Sequence, residues 1–257
     1  MKNPKNILIT GASSGIGEAL AVYYAAPGVT LCLNGRNAER LEAVAALCRD
    51  KGAEVQCNVM NVTDQSAMAA WVEEMDNTHP LDLVIANAGI SGGTGGVMNG
   101  EDPVQVRKIF DVNVNGVFNT IEPVLPRMMA RKKGQVAIMS SLAAFRGWPG
   151  APAYSASKGA VRFYGEALRG AMAHTGVKIN VICPGFVTSR MTDANDFPMP
   201  FKMPAAKAAH IIVCALARDK GRIAFPWPTH IVSWLMSVIP DAAAQKILVR
   251  LPRKPAN

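Results

Sequence analysis

Several absences narrow this sequence of 257 residues before any motif is read. No two cysteines are spaced C-x-x-C. The five present (Cys32, Cys48, Cys57, Cys183 and Cys214) are odd in number and scattered. Neither a zinc cluster nor a disulfide framework is indicated, no metal site is expected, and a reducing cytoplasm is the expected setting. No apolar run approaches the roughly 20 residues that span a bilayer. The longest in the C-terminal region, 231–239, is interrupted by Ser233 and Ser237. The N-terminus runs from Lys2, Asn3 and Pro4 straight into a strand-like stretch, so no signal peptide is expected. Charged residues are only 18% against 49% hydrophobic, so a globular chain is expected and a disordered one excluded.

Acids are also in short supply, and the net charge is +8. Part of the excess sits at the C-terminal end, in Lys246, Arg250, Arg253 and Lys254. Such a cluster suits an anionic membrane surface; it also suits a basic enzyme that binds phosphorylated ligands. No RNA- or DNA-binding motif accompanies the charge, so a nucleic-acid partner is not expected.

Short apolar runs alternate with helical patterns. Strands are expected over 7–10, 30–34, 54–57, 83–86, 135–140, 177–183 and 223–225. Helices are expected over 15–26, 38–51, 64–77, 103–110, 112–131, 152–175 and 204–220, with a helical tail. Continuous apolar strands alternating with helices indicate a parallel sheet covered on both faces, here one doubly wound α/β domain of about seven strands over 1–225, with a tail over 226–257 packed on it.

Ligands bind such sheets beyond the carboxyl ends of the strands. After the first strand stand Gly11, Ser13, Ser14, Gly15, Ile16 and Gly17. This is not the G-x-G-x-x-G spacing, but it follows the same logic of a tight turn, close backbone approach and a helix N-terminus aimed at a pyrophosphate. After the second strand no acid occupies 34–36, where one would bond a ribose 2′-hydroxyl. Arg36 stands there instead and suits a 2′-phosphate, to which Ser13 can add a contact; NADP is therefore expected ahead of NAD. Arg36 is equally the kind of charge that opens a solvated helix. Asn61 and Val62 follow the third strand and suit an adenine edge and face, or a plain loop. Asn87, Ala88 and Gly89 follow the fourth, then a glycine-rich stretch at 91–96. Ser140 and Ser141 follow the fifth. Pro184, Gly185, Val187 and Thr188 follow the sixth.

Tyr154 and Lys158 are four apart on an expected helix and so share a face. A cation beside a phenol favours the phenolate, so the Tyr154 pKa is expected to fall toward neutrality, where tyrosine can act as an acid/base. Taken alone, the pair is also what any solvated helix face would show.

Together these residues resemble the short-chain dehydrogenase/reductase family. The matching pieces, in order, are residues 10–17; Asn87, Ala88 and Gly89; Asn113, Val114, Asn115 and Gly116; Ser141; Tyr154 with Lys158; and Pro184 with Gly185. The resemblance covers about 5–225 and implies a Rossmann-type domain. It implies NADP(H)-dependent interconversion of a carbonyl and an alcohol, with Tyr154 as acid/base. Lys158 would tune Tyr154 and hold the ribose. Ser141 would bond the substrate oxygen, and Asn113 would anchor a water in a proton relay. Pro184 and Gly185 would wall the nicotinamide, and Thr188 would bond its carboxamide.

Three departures stand out. Asn61 replaces an acid near the third strand. The glycine loop has no basic residue. Pro226, Trp227 and Pro228 follow Phe225 where a glycine-rich ending is usual, which weakens the case for a homotetramer and favours a homodimer through 112–131 and 152–175. Leu142, Ala143, Ala144, Trp148, Phe186, Met191 and the loop 192–203 are expected to line an apolar substrate site. Trp227, Trp234, Leu235, Ile239 and Leu248 suit peripheral membrane contact, and they equally suit packing on the cleft or on a partner. A catalytically inactive NADP(H)-binding scaffold is the alternative class of function.

Overall fold

In the computed structural model the chain is described over residues 2–94, 100–193 and 197–250. Its first strand, β1 (Asn6–Thr10), is the third strand across a seven-stranded sheet. The others are β2 (Thr30–Gly35), β3 (Glu54–Val59), β4 (Leu83–Ala86), β5 (Gly134–Met139), β6 (Val177–Pro184) and β7 (Arg222–Phe225). The order is β3-β2-β1-β4-β5-β6-β7, and every pair is parallel. The chain reverses its winding between β1 and β4, and that is where a crevice opens in such sheets.

Helices cover both faces. They are α1 (Gly15–Tyr24), α2 (Ala38–Asp50), α3 (Gln65–Thr78), α4 (Pro103–Phe110), α5 (Gly116–Ile121), α6 (Leu125–Ala130), α7 (Pro152–Ala171), α8 (Arg190–Asp193), α9 (Ala205–Ala217), α10 (Trp227–Val238) and α11 (Asp241–Leu248). A π turn, Asp111–Asn115, joins α4 to α5, and a 3-10 turn, Leu142–Ala144, follows β5.

Successive strand residues point to opposite faces. Ile7, Ile9, Leu31 and Leu33 therefore pack with Leu20, Leu41 and Ile212 on one side. Leu8, Cys32, Val84 and Ile138 pack with Met68, Trp71, Ile121 and Val161 on the other. Polar caps fix the helix starts: Asn37 accepts from Arg40 N, and Asp64 accepts from Ala67 N.

The helix expected over 112–131 is broken. It begins as the π turn, stops at Ile121 and resumes at Leu125. Pro123 explains the second break, since it has no N–H to donate and its ring crowds the preceding turn. Helix α7 ends at Ala171 rather than 175, in a turn closed by Thr175 Oγ1 donating to Met172 O. Among the described residues no helix is long and apolar enough to cross a membrane.

Candidate active site

The turn after β1 is shaped by what cannot fit there. Gly11 has φ +66°, a left-handed conformation that glycine adopts without cost. A side chain at Gly17 would run into the Gly11 carbonyl and the Asn87 amide. The turn therefore passes against the end of β4 with no room for a Cβ. Asn87 ties the two ends together. Its Nδ2 donates to Thr10 O at 2.9 Å and to Gly11 O at 3.2 Å, while Asn87 N and Ala88 N both donate to Thr10 Oγ1. Ser14 caps α1 without a side-chain hydrogen bond to the helix, and Ile16 packs onto the core below.

Ser13 lies against the end of β2: a Cβ on Gly35 would sit 3.1 Å from Ser13 Oγ. Arg36, next in the chain, is exposed. Asn61 is exposed and its Oδ1 accepts from Thr63 N. Val62 is placed differently from the adenine-face expectation. Its side chain is buried against Gly116 and its carbonyl accepts from Asn119 Nδ2.

Gly89 is the meeting point of the next group. A Cβ there would lie 3.1 Å from Lys158 Nζ and 3.2 Å from Asn113 Oδ1. Asn113 is fully buried in the π turn and holds the chain after Gly89 in both directions. Its Oδ1 accepts from Ile90 N and its Nδ2 donates to Ile90 O and to Ser157 Oγ. Lys158 is buried, and its Nζ donates to Met139 O at 3.0 Å. Ser140 Oγ donates to Lys158 O, so this serine serves the backbone of α7. Ser141 caps the 3-10 turn by accepting from Ala143 N, and its hydroxyl also bonds the Tyr154 phenol.

The expected acidification of Tyr154 is overturned in the chain as it stands. Burial raises its pKa, and the Ser141 hydrogen bond only partly opposes that. Lys158 does not figure among the causes. Its stem carries the ammonium to the Met139 carbonyl, and burial lowers its own pKa to about 8. Sharing a helix face did not determine where a four-carbon side chain would end.

Beyond β6, Pro184 closes the strand, and Gly185 N donates to Phe225 O. Val187 is buried and bridges to Met203, while Thr188 is exposed and its N donates to Met203 O. Phe197 sets its ring edge-on to Trp148 at 5.7 Å and to Phe186 at 6.1 Å, and so joins the segments after β5 and β6. Gly95, Gly96, residues 194–196, Arg253 and Lys254 lie outside the described residues.

A family model described as short chain dehydrogenase matches residues 5–197. The chain belongs to that family. Among its relatives is an uncharacterized oxidoreductase of Myxococcus xanthus, 38% identical over 95% of this chain and 97% of that one. The 3-oxoacyl acyl-carrier-protein reductase FabG of Staphylococcus aureus is 32% identical over 76% of this chain and 79% of its own. In fold, a short-chain dehydrogenase from Sphingobium yanoikuyae, solved in complex with NADPH, superposes with a TM-score of 0.80 over 98% of both chains at 23% identity. This chain is thus an oxidoreductase with the Rossmann-type fold of its family.

Ser157, which helps organise this short-chain dehydrogenase's site by accepting from Asn113 Nδ2, carries no motif weight of its own; its only sequence signal is its place beside Lys158.

The buried Lys158 has a consequence for stability. Among the described residues no carboxylate pairs with it, so the charged form is held in the interior against its solvation preference. Lys158→Met is expected to raise the unfolding free energy of the unliganded chain at neutral pH by on the order of 2–3 kcal/mol. The folded value, about 8, lies below the ordinary 10.5. Between them the unfolded chain binds more protons, so the wild type gains stability as pH rises through that window and its deficit against the variant shrinks. Denaturant titrations of both proteins at neutral and alkaline pH check this; a variant no more stable than wild type at neutral pH contradicts it.

Proposed function

We propose that this chain is an NADP(H)-dependent oxidoreductase that interconverts a carbonyl and a primary or secondary alcohol. The observation that carries the reading is the placement of two pairs of side chains beyond the carboxyl ends of β4 and β5. Tyr154 bonds Ser141, and Lys158 and Asn113 converge on Gly89.

The residues present fit a dinucleotide. Gly11 and Gly17 leave a cradle that side chains would fill, beside the N-terminus of α1 and the unengaged Ser14 hydroxyl, and these suit a pyrophosphate. Ser13 and Arg36 would hold a 2′-phosphate. Asn61 and the Val62 backbone would border the adenine. Asn87, Ala88, Gly89 and Lys158 would hold the ribose, and Pro184, Gly185, Val187 and Thr188 the nicotinamide end. A bound nicotinamide dinucleotide supplies the hydride chemistry that protein side chains lack.

The chain supplies position and the proton. Ser141 Oγ holds the substrate oxygen as negative charge grows on it. The protonated Tyr154 hydroxyl gives its proton to that oxygen on reduction and takes it back on oxidation. Lys158 and Asn113 border the path by which the phenol is reprotonated. The Trp148, Phe197 and Phe186 rings favour an apolar substrate. Self-association through the helices of 112–131 and 152–175 belongs to the same reading, since Met129 and Phe163 stand exposed on α6 and α7.

NADPH oxidation followed across a panel of apolar ketones and aldehydes tests the reaction class. At least one should be reduced well above blank; tight NADPH binding with no turnover across the panel would count for the scaffold alternative. Cofactor choice has its own test. Arg36→Asp is expected to weaken NADPH by roughly tenfold to a hundredfold and to spare NADH, because one charge-assisted phosphate contact is replaced by repulsion. An unchanged ratio of the two affinities would remove Arg36 from the site.

A further inference from the structure

Helix α10 is amphipathic in the wrong sense for a helix packed only on its own protein. Trp227, Ile231, Trp234, Leu235 and Val238 recur at helical spacing and share one stripe. All five are exposed, Trp227 at 73% and Trp234 at 49%. The other side carries Thr229, His230, Ser233 and Ser237, each half-buried. No residue of the helix is buried, and none is Asp, Glu, Lys or Arg.

The helix is nonetheless seated. It packs on β7 and on the 3-10 turn after Ser141. His230 meets the Phe145 ring edge-on at 5.5 Å. Arg146 donates to Ile239 O and pairs with Asp241 at the start of α11. A Cβ on Gly185 would lie 3.3 Å from Thr229 Oγ1. The polar side is thus the side held by the protein, and the apolar stripe faces away from it.

Charge indicates what the stripe meets. From Trp227 to Asn257 the acid is Asp241, already engaged by Arg146, while Lys246, Arg250, Arg253 and Lys254 are basic. On α11, Ala244 and Leu248 are buried, whereas Lys246 and Ile247, and Val249 and Arg250 in the turn that follows, are exposed. Outward tryptophans and aliphatics flanked by uncompensated cations match the boundary between acyl chains and anionic headgroups. A second copy fits worse, because a two-fold contact would bring two basic ends together with no free acid to oppose them.

We propose that α10 and α11 form an interfacial anchor. Trp227, Ile231, Trp234, Leu235 and Val238 lie in an anionic bilayer surface, and Lys246 and Arg250 lie on its phosphates. The anchor shares its seat with the turn after Ser141, so the substrate side of the site stands next to the lipid.

Flotation of the full chain with vesicles tests this, using phosphatidylcholine alone and phosphatidylcholine mixed with phosphatidylglycerol. The chain should float with the mixed vesicles, less with the neutral ones, and less at high salt. Ile231→Ser with Trp234→Ser, and separately Lys246→Glu with Arg250→Glu, should each cut the bound fraction by roughly tenfold or more. Absence of wild-type flotation on the mixed vesicles overturns the anchor without recourse to any variant. Undiminished flotation of both variants overturns it too. So does sedimentation showing that the first variant turns a dimer into a monomer while the wild type binds neither vesicle.

Discussion

Tyr154→Phe is expected to lower turnover by roughly two to four orders of magnitude, the usual worth of a positioned proton donor. Affinity for NADPH should change little, because the ring remains and only the hydroxyl that bonds Ser141 is lost. The substitution is mild in packing: Tyr154 is half-buried, and Ser141 keeps its bond from Ala143 N. Steady-state rates with cofactor titration separate the two effects. Turnover close to wild type would end the assignment of Tyr154 as acid/base. The raised phenol pKa also sets a direction. Tyr154 is protonated over the neutral range in the chain as it stands. Carbonyl reduction, which needs the proton on the phenol, should therefore decline as pH climbs through its pKa, and alcohol oxidation should rise.

The second large effect is on folding. Asp76, buried on α3, accepts from Arg127 Nε, from both ends of the Arg131 guanidinium, and from Leu81 N. Burial alone would raise its carboxyl; the hydrogen bonds from Arg131, Arg127 and Leu81 N outweigh that and hold it below the ordinary range. Asp76→Ala takes the carboxylate from two guanidiniums, which keep Asn77 Oδ1, Lys133 O and Leu81 O, and leaves the Leu81 N–H without its acceptor. A loss of about 3 kcal/mol is expected, which for a chain of this size lowers Tm by roughly 6–12 °C. Because the folded pKa is depressed, this contribution is present above the ordinary carboxylate range and fades as pH falls through the folded value. Calorimetry of wild type and variant at neutral and acid pH checks both. An equal gap at the two pH values would show that the carboxylate charge is not the cause.

Much of the site was legible in the sequence, because its members stand at the ends of apolar strands. Position in the sheet then places them near one crevice whatever the loops do. The glycine turn, Asn87 and Ser141 were read that way, whereas Tyr154 and Lys158 were read as a pair four apart on one face of α7. What was not legible depends on where flexible or shared groups end. Lys158 was expected to charge the phenol and instead serves a carbonyl of β5. Val62 was expected to face a ligand and is packed under Gly116. The residues of α10 were recognisable as apolar, but period alone does not say which side of a helix meets its own protein. That depends on the contacts of Arg146, Phe145 and Gly185, which are remote in sequence.

The π turn at Asp111–Asn115 has an effect beyond holding Asn113. Gly116 N donates to Asp111 O, five residues back, so this turn holds one residue more than an α turn. One extra residue rotates everything after it by roughly 100° about the axis. Helices α4 and α5 run on from one another yet are out of phase. Consequently α4 addresses α7, whereas α5 addresses β4 and α3. One continuous rod thereby serves two neighbours in different directions. The offset falls at Asn113, where the widened turn brings an amide to the chain after Gly89.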